Sequence, residues 1–433
     1  MLLDWLYLFN LRVRPSMAGT RAAEVGSYLM DPNRQLSQLP LLNTVMKLPC
    51  ASLLQLFGPV LVDSFRVAGV SLSFPSSIRY ASLTTMAPVF LKRAKQTGPP
   101  REAATYKLSA QLTQIFPPRP AFTEKDIPFQ KGKVYLITGG TSGIGLELAK
   151  ILYARGAAVY ITGRTEEKAK KAVEDIQKTV PEREGRIDYI LLNLDDLSTI
   201  KASVEAFKEK ESKLDVLWNN AGIAQPPAGS LTKQGFELQL ATNCLGPFLL
   251  THMMLPLLEA AVEENGPAFA GTVRVVWLSS QVAELSSPPE GIVMTELSNA
   301  PQDNVRNYLN SKVGCWFLSA EFARRYGDER RIVSVAMNPG NANTNLLKDA
   351  RWTKIFTYPL QHSPKLAALT ELYAGLSSDV NLDNNGCYVM PWGRIHTTVA
   401  PHLLNAMRLK EIGGTGRAKA FYEFCEDKTK DYY

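Results

Sequence analysis

Lys133-Val134-Tyr135-Leu136-Ile137-Thr138-Gly139-Gly140-Thr141-Ser142-Gly143-Ile144-Gly145 is the stretch whose reading decides the fold. It opens with a short apolar run of strand length. Its glycines then stand at GxxxGxG spacing, and apolar residues recur at helical intervals from Ile144 to Leu152. A strand, a glycine-rich turn and a helix, in that order, form a cradle for a dinucleotide. Glycine lets the backbone approach a pyrophosphate closely, and the helix N-terminus supplies N–H donors and positive potential. Gly139, Thr141, Ser142, Gly143, Ile144 and Gly145 are the candidate phosphate contacts.

Outward from this loop, further apolar runs follow at Ala157–Ile161, Tyr189–Leu192, Val216–Trp218, Val273–Leu278 and Ile332–Met337, with helix-like segments between them. Near-continuous apolar strands alternating with helices imply a parallel sheet covered on both faces. The expected fold is therefore α/β, a Rossmann doubly wound sheet, with a single catalytic domain over 116–433. Residues 1–115 show no sustained period and read as an irregular N-terminal extension, poorly ordered or targeting-like. Pro117-Pro118-Arg119-Pro120 forms a stiff connector after it.

Charge separates along the same line. The chain of 433 residues carries a net +7, and residues 1–130 hold all of that excess, with 14 Lys/Arg against 7 Asp/Glu. The remainder is neutral and shows no basic stripe, which argues against a nucleic-acid partner. The first hundred residues are basic and carry several Ser and Thr, a composition that weakly suggests a mitochondrial transit segment, with Met86 as an alternative start. The expected location is otherwise cytoplasmic. No apolar run reaches the roughly 18 to 20 residues that span a bilayer. Five scattered cysteines and four scattered histidines argue against a disulfide framework and against a metal site.

The strand Ala157–Ile161 ends in Thr162-Gly163-Arg164-Thr165, with Lys168 close behind. In a dinucleotide fold this position faces the adenosine ribose. An acidic residue there would bind the 2′-hydroxyl of NAD, whereas a guanidinium can grip a 2′-phosphate. Arg164 and Lys168 thus point to NADP(H). Further along, Tyr308-Leu309-Asn310-Ser311-Lys312 places a phenol and an ammonium four residues apart, on one helix face. A nearby ammonium favours the phenolate that an acid–base tyrosine must form.

Taken together, the TGGTSGIG loop, Asn219-Asn220-Ala221-Gly222, Asn243 at a helix start, Ser279-Ser280, Tyr308 with Lys312, and Pro339-Gly340 resemble the short-chain dehydrogenase/reductase family in order and approximate spacing. The resemblance runs from about Phe116 to Glu426. It implies that Ser280 polarises the substrate carbonyl, Tyr308 gives or takes the proton, and Lys312 holds the nicotinamide ribose and tunes Tyr308. It implies that Asn243 positions a water in a proton relay. Asn220, Ala221 and Gly222 would line the adenine side, and Asn193-Leu194 would sit beside the adenine where the family usually has Asp-Leu. Pro339, Gly340 and Thr344 would contact the nicotinamide end.

The long connection between Ser280 and Tyr308 resembles the retinol-dehydrogenase-like branch, and the C-terminal tail resembles fungal members of it. The implied substrate is an apolar alcohol, ketone or aldehyde. Residues 346–360, with Trp352, Ile355, Phe356 and Tyr358, would form a flap over it, and the segments Gly386–Arg394 and Phe421–Cys425 a wall of its pocket. Two other readings share the fold. A sugar-nucleotide epimerase or dehydratase would show GxxGxxG spacing, and a non-catalytic NADP-binding protein would have a broken Ser–Tyr–Lys set. The residues leave the oligomeric state open.

Overall fold

Alternate residues of each central strand face opposite sides, and both sides are buried. The computed structural model describes residues 108–180, 185–344, 346 and 361–433. Most of the extension (1–107) and nearly all of the flap (347–360) lie outside them. The strands are β1 (Val134–Ile137), β2 (Ala158–Gly163), β3 (Arg186–Leu191), β4 (Val216–Asn219), β5 (Arg274–Leu278), β6 (Val333–Met337), β7 (Tyr388–Met390) and β8 (Arg394–Ile395). They form one sheet in the order β3-β2-β1-β4-β5-β6-β7-β8, parallel except for the β7–β8 pair.

The helices are α1 (Leu108–Ile115), α2 (Gly143–Ala154), α3 (Glu166–Thr179), α4 (Ile200–Lys208), α5 (Leu238–Asn265), α6 (Val282–Leu285), α7 (Thr295–Ser298), α8 (Asn304–Arg330), α9 (Pro364–Leu376), α10 (Pro401–Met407) and α11 (Arg417–Thr429). Tyr135 and Ile137 of β1, Val216 and Trp218 of β4 and Val276 of β5 pack with α2, α3 and α9. Val134, Leu136, Leu217, Val275 and Trp277 face the other way, into a second core with α4, α5, α8 and α11. The period of two thus sorts one apolar run into two cores, as a doubly wound sheet requires. Because β1 lies between β2 and β4, the chain leaves it in opposite directions, which opens a crevice at the carboxyl ends of β1 and β4.

The structure goes against the expectations in two places and beyond them in two others. Residues 108–115, assigned to the extension, form helix α1, which is hydrogen-bonded to the sheet domain; Arg394 Nη2 donates to the Thr113 carbonyl at 2.8 Å. The tail adds two strands, β7 and β8. Phe421, Tyr422 and Cys425 are fully buried in the core on α11, so they pack the fold and do not line a pocket. Helix α5 is also long and apolar enough to cross a membrane by length and composition. A run-by-run reading misses it because Thr242, Asn243, Thr251 and His252 interrupt it. Its residues Phe248, Leu249, Met254 and Leu258 are buried in the core.

Candidate active site

The glycine loop leaves β1 at the crevice, and its backbone is held from the neighbouring strands. The Thr138 amide donates to the Trp218 carbonyl at 3.0 Å, and the Thr138 hydroxyl accepts from the Ala221 amide at 2.9 Å. Asn220 Nδ2 donates to the Thr138 carbonyl at 2.6 Å, and the Gly139 amide donates to Thr162 Oγ1 at 3.1 Å. These bonds join the loop to the ends of β2 and β4, so Asn220 and Ala221 act as its scaffold. Gly143 opens α2 at φ +61°, a left-handed value that disfavours side chains. A Cβ on Gly145 would lie 2.5 Å from Asn220 Nδ2.

At the N-cap of α2, Ser142 makes no side-chain capping bond among the described residues. The first-turn N–H groups therefore lack that partner, as a phosphate site requires. A second feature points the same way. Asn193, beyond β3, has a buried Oδ1 with no hydrogen-bond partner among the described residues, a suitable acceptor for an exocyclic amine. Leu194 is buried beside it, and its carbonyl stands 2.4 Å from where a Cβ on Gly246 of α5 would lie. Arg164 and Lys168 lie exposed past the end of β2, and Arg164 Nη1 is 3.7 Å from the Asp195 carboxylate. The glycine cradle, the orphaned acceptor and the guanidinium fit a dinucleotide from pyrophosphate to adenosine.

The reactive end gathers where β4, β5 and α8 meet. Tyr308 and Lys312 lie one turn apart on α8, with the Lys312 ammonium 5.7 Å from the centre of the Tyr308 ring. Lys312 is 3% exposed. Its Nζ donates to the Leu278 carbonyl at 2.9 Å, and its own carbonyl accepts from Ser279 Oγ at 2.7 Å. These two bonds pin α8 to the end of β5, immediately beside Ser280. A Cβ on Gly222 would stand 3.1 Å from Asn243 Oδ1 and 3.5 Å from Lys312 Nζ, which places both side chains around this glycine.

Asn243 does not start a helix. It lies in a π-helical turn, Ala241–Leu245, inside α5, the kind of local widening that often marks a functional site. Its Nδ2 donates to the Ile223 carbonyl at 3.0 Å and to Ser311 Oγ at 2.9 Å, and its Oδ1 accepts from the Ile223 amide at 2.9 Å. Cys315 Sγ donates to the Asn243 carbonyl at 3.2 Å, and Cys244 Sγ to the Ser311 carbonyl at 3.1 Å. Burial pushes the Cys244 thiol well above its usual range, so it stays a neutral donor. Thiols thus tie the π turn to α8.

Pro339 and Gly340 follow β6, and the Gly340 amide donates to Asn338 Oδ1 at 3.0 Å. The turn leads to Thr344, whose Cγ2 would lie 3.2 Å from a Cβ on Gly143. The turn after β6 therefore runs close beside the glycine loop. Sequence reasoning passed over Thr138, Ser311 and Asn338, each of which orients a named site residue. Their signal was adjacency alone, since each lies beside or within a motif already recognised.

The family described as short chain dehydrogenase matches residues 133–354. A short-chain dehydrogenase/reductase of Phomopsis amygdali is 42% identical over 74% of this chain and 96% of its own length. The Emericella nidulans short-chain dehydrogenase/reductase pkfC is 40% identical over 72% of this chain and 97% of its own. A crystal structure of a protein from Mycobacterium paratuberculosis superposes with a TM-score of 0.53 at 27% identity, over 72% of this chain and 98% of that one. The loop, the crevice and the Tyr308–Lys312 helix thus occur in a chain that belongs to the short-chain dehydrogenase/reductase family of NAD(P)(H)-binding oxidoreductases.

Proposed function

We propose that this chain is an NADP-dependent oxidoreductase that interconverts an alcohol with a ketone or aldehyde on an apolar small molecule. The observation that carries this reading is the pinning of α8 to the end of β5. Lys312 bonds the Leu278 carbonyl through Nζ and Ser279 through its own carbonyl, which fixes the helix that carries Tyr308 against the strand end that leads into Ser280. The exposed guanidinium of Arg164 supports NADP over NAD, because it can meet a 2′-phosphate with paired donors.

When bound, the reduced cofactor supplies the hydride. Ser280 Oγ donates a hydrogen bond to the substrate carbonyl and orients it. Tyr308 passes its phenolic proton to the same oxygen as the carbonyl is reduced. Lys312, held against the strand end, stabilises the phenolate left behind and hydrogen-bonds the nicotinamide ribose. Asn243, fixed on Ile223 and Ser311, holds a water through which the proton is restored. In the oxidative direction Tyr308 is the base. Acid–base help of this kind contributes about 10²–10⁴ in rate. Apolarity of the substrate rests on the aromatic composition of residues 346–360.

A panel of apolar ketones, aldehydes and alcohols, assayed with NADPH and NADP⁺ against NADH and NAD⁺, tests this. Turnover on at least one member, with Tyr308→Phe binding NADPH normally while losing about a thousandfold or more in kcat, is the expected result. Near-normal turnover by Tyr308→Phe would overturn the mechanism.

A further inference from the structure

Helix α1 precedes the 133–354 span that defines the family, yet it carries two glutamines, Gln111 and Gln114, each only 2% exposed. They complete a hydrogen-bond chain between the two loops that bracket the reactive end. The Gly340 amide donates to Asn338 Oδ1 at 3.0 Å. Asn338 Nδ2 donates to Gln114 Oε1 at 3.0 Å, and Gln114 Nε2 donates to Gln111 Oε1 at 3.2 Å. Gln111 Nε2 then donates to the carboxylate of Glu284, four residues past Ser280. Gln281, adjacent to Ser280, donates to the Gln111 carbonyl at 2.8 Å. Every donor in the chain points the same way, and the chain ends on a carboxylate, an arrangement in which successive bonds polarise one another. Glu284 is held from other sides by His396 Nε2 at 2.9 Å and by the Ala400 amide at 2.6 Å, so it is a fixed anchor.

We propose that Gln111 and Gln114 are positioning residues that set the separation between the Ser280 loop and the Pro339–Gly340 turn. They act through Glu284 and Gln281 on one side and through Asn338 on the other. This rests on the carbonyl–alcohol reading above, in which Ser280 orients the substrate while the Gly340 turn borders the nicotinamide. A shift of about 1 Å between such groups costs up to about 100-fold in rate.

The test uses the full chain with Gln111→Met, Gln114→Met and the double variant, which keep side-chain length and remove the amide. Amide hydrogen–deuterium exchange is read over 279–286 and 338–344, with kcat, KM and Tm measured alongside. Gln111→Met should raise exchange over 338–344, a segment to which its side-chain bonds lead through Gln114 and Asn338. It should lower kcat about 10- to 100-fold while KM for NADPH moves by no more than about threefold. The double variant should lose no more than the worse single, since the chain works as a unit. Unchanged distal exchange, or kcat losses that multiply in the double, would show that α1 is only structural support and overturn the proposal. If Gln111→Met does not fold, Gln114→Met read over 279–286 decides the question in the same way. If the wild-type chain reduces nothing in the panel, the functional reading fails by itself, and the exchange measurement alone decides the relay.

Discussion

Arg164 leaves β2 with 62% of its side chain exposed, and its guanidinium lies 3.7 Å from Asp195. At that separation Asp195 orients the group without occupying its donors at hydrogen-bond range. The residue type at this position was legible in the sequence, because the position is fixed by the strand end that follows the glycine loop. Asp195 was not, since its role depends on β2 and β3 lying side by side. A hydrogen bond to a charged group contributes about 1.5–3 kcal/mol. Arg164→Asp should therefore raise KM for NADPH about 10- to 100-fold and change KM for NADH by about threefold at most. Initial-rate kinetics with both cofactors check this, and an unchanged preference would remove Arg164 from the cofactor assignment.

At the scale of the element, the strand–turn–helix unit works because its backbone is crowded. Gly145 faces Asn220 so closely that a methyl group there would stand 2.5 Å from Asn220 Nδ2, the group that bonds the Thr138 carbonyl. Gly145→Ala should push Asn220 off the loop, weaken dinucleotide binding about tenfold or more, and destabilise the fold by about 1–3 kcal/mol. Titration of NADPH by fluorescence together with a urea midpoint measures both, and wild-type affinity would show that the loop has room to spare. The glycine spacing made this unit readable in the sequence. The π turn around Asn243 was not readable, because α5 is buried on all sides from Leu240 to Thr251, so the change of face that one extra residue causes breaks no apolar pattern. Helix α1 escaped for a related reason: its buried positions are glutamines, which look like solvent-facing residues until their partners are known.

For the whole molecule, the sheet divides the interior into two cores, and one of them contains an unpaired acid. Glu371 on α9 is fully buried, and neither of its carboxylate oxygens has a hydrogen-bond partner among the described residues. Burial pushes its pKa from the ordinary 4.5 up to about 8. Between those values the folded chain holds one proton more than the unfolded chain, so this group's contribution to stability is complete below 4.5, falls as pH rises through the window, and is level above about 8. Glu371→Gln should flatten that decline and be more stable than wild type at about pH 8, by about 1 kcal/mol or more. Urea midpoints at about pH 5 and pH 8 measure it, and parallel declines in the two proteins would show that Glu371 is not the source. The sequence by itself determined the strand–helix alternation, the dinucleotide loop and the order of the Ser280, Tyr308 and Lys312 set, because these rest on local periodicity and on short spacings that backbone geometry converts directly into position. Only the tertiary structure decided that β7 and β8 extend the sheet, that Asn243 sits in a π turn, that the Glu371 carboxylate has no hydrogen-bond partner among the described residues, and that Gln111 reaches Glu284 across 173 residues. Such contacts are set by how the layers pack, and a hydrogen bond between distant side chains leaves no period in the chain that makes it.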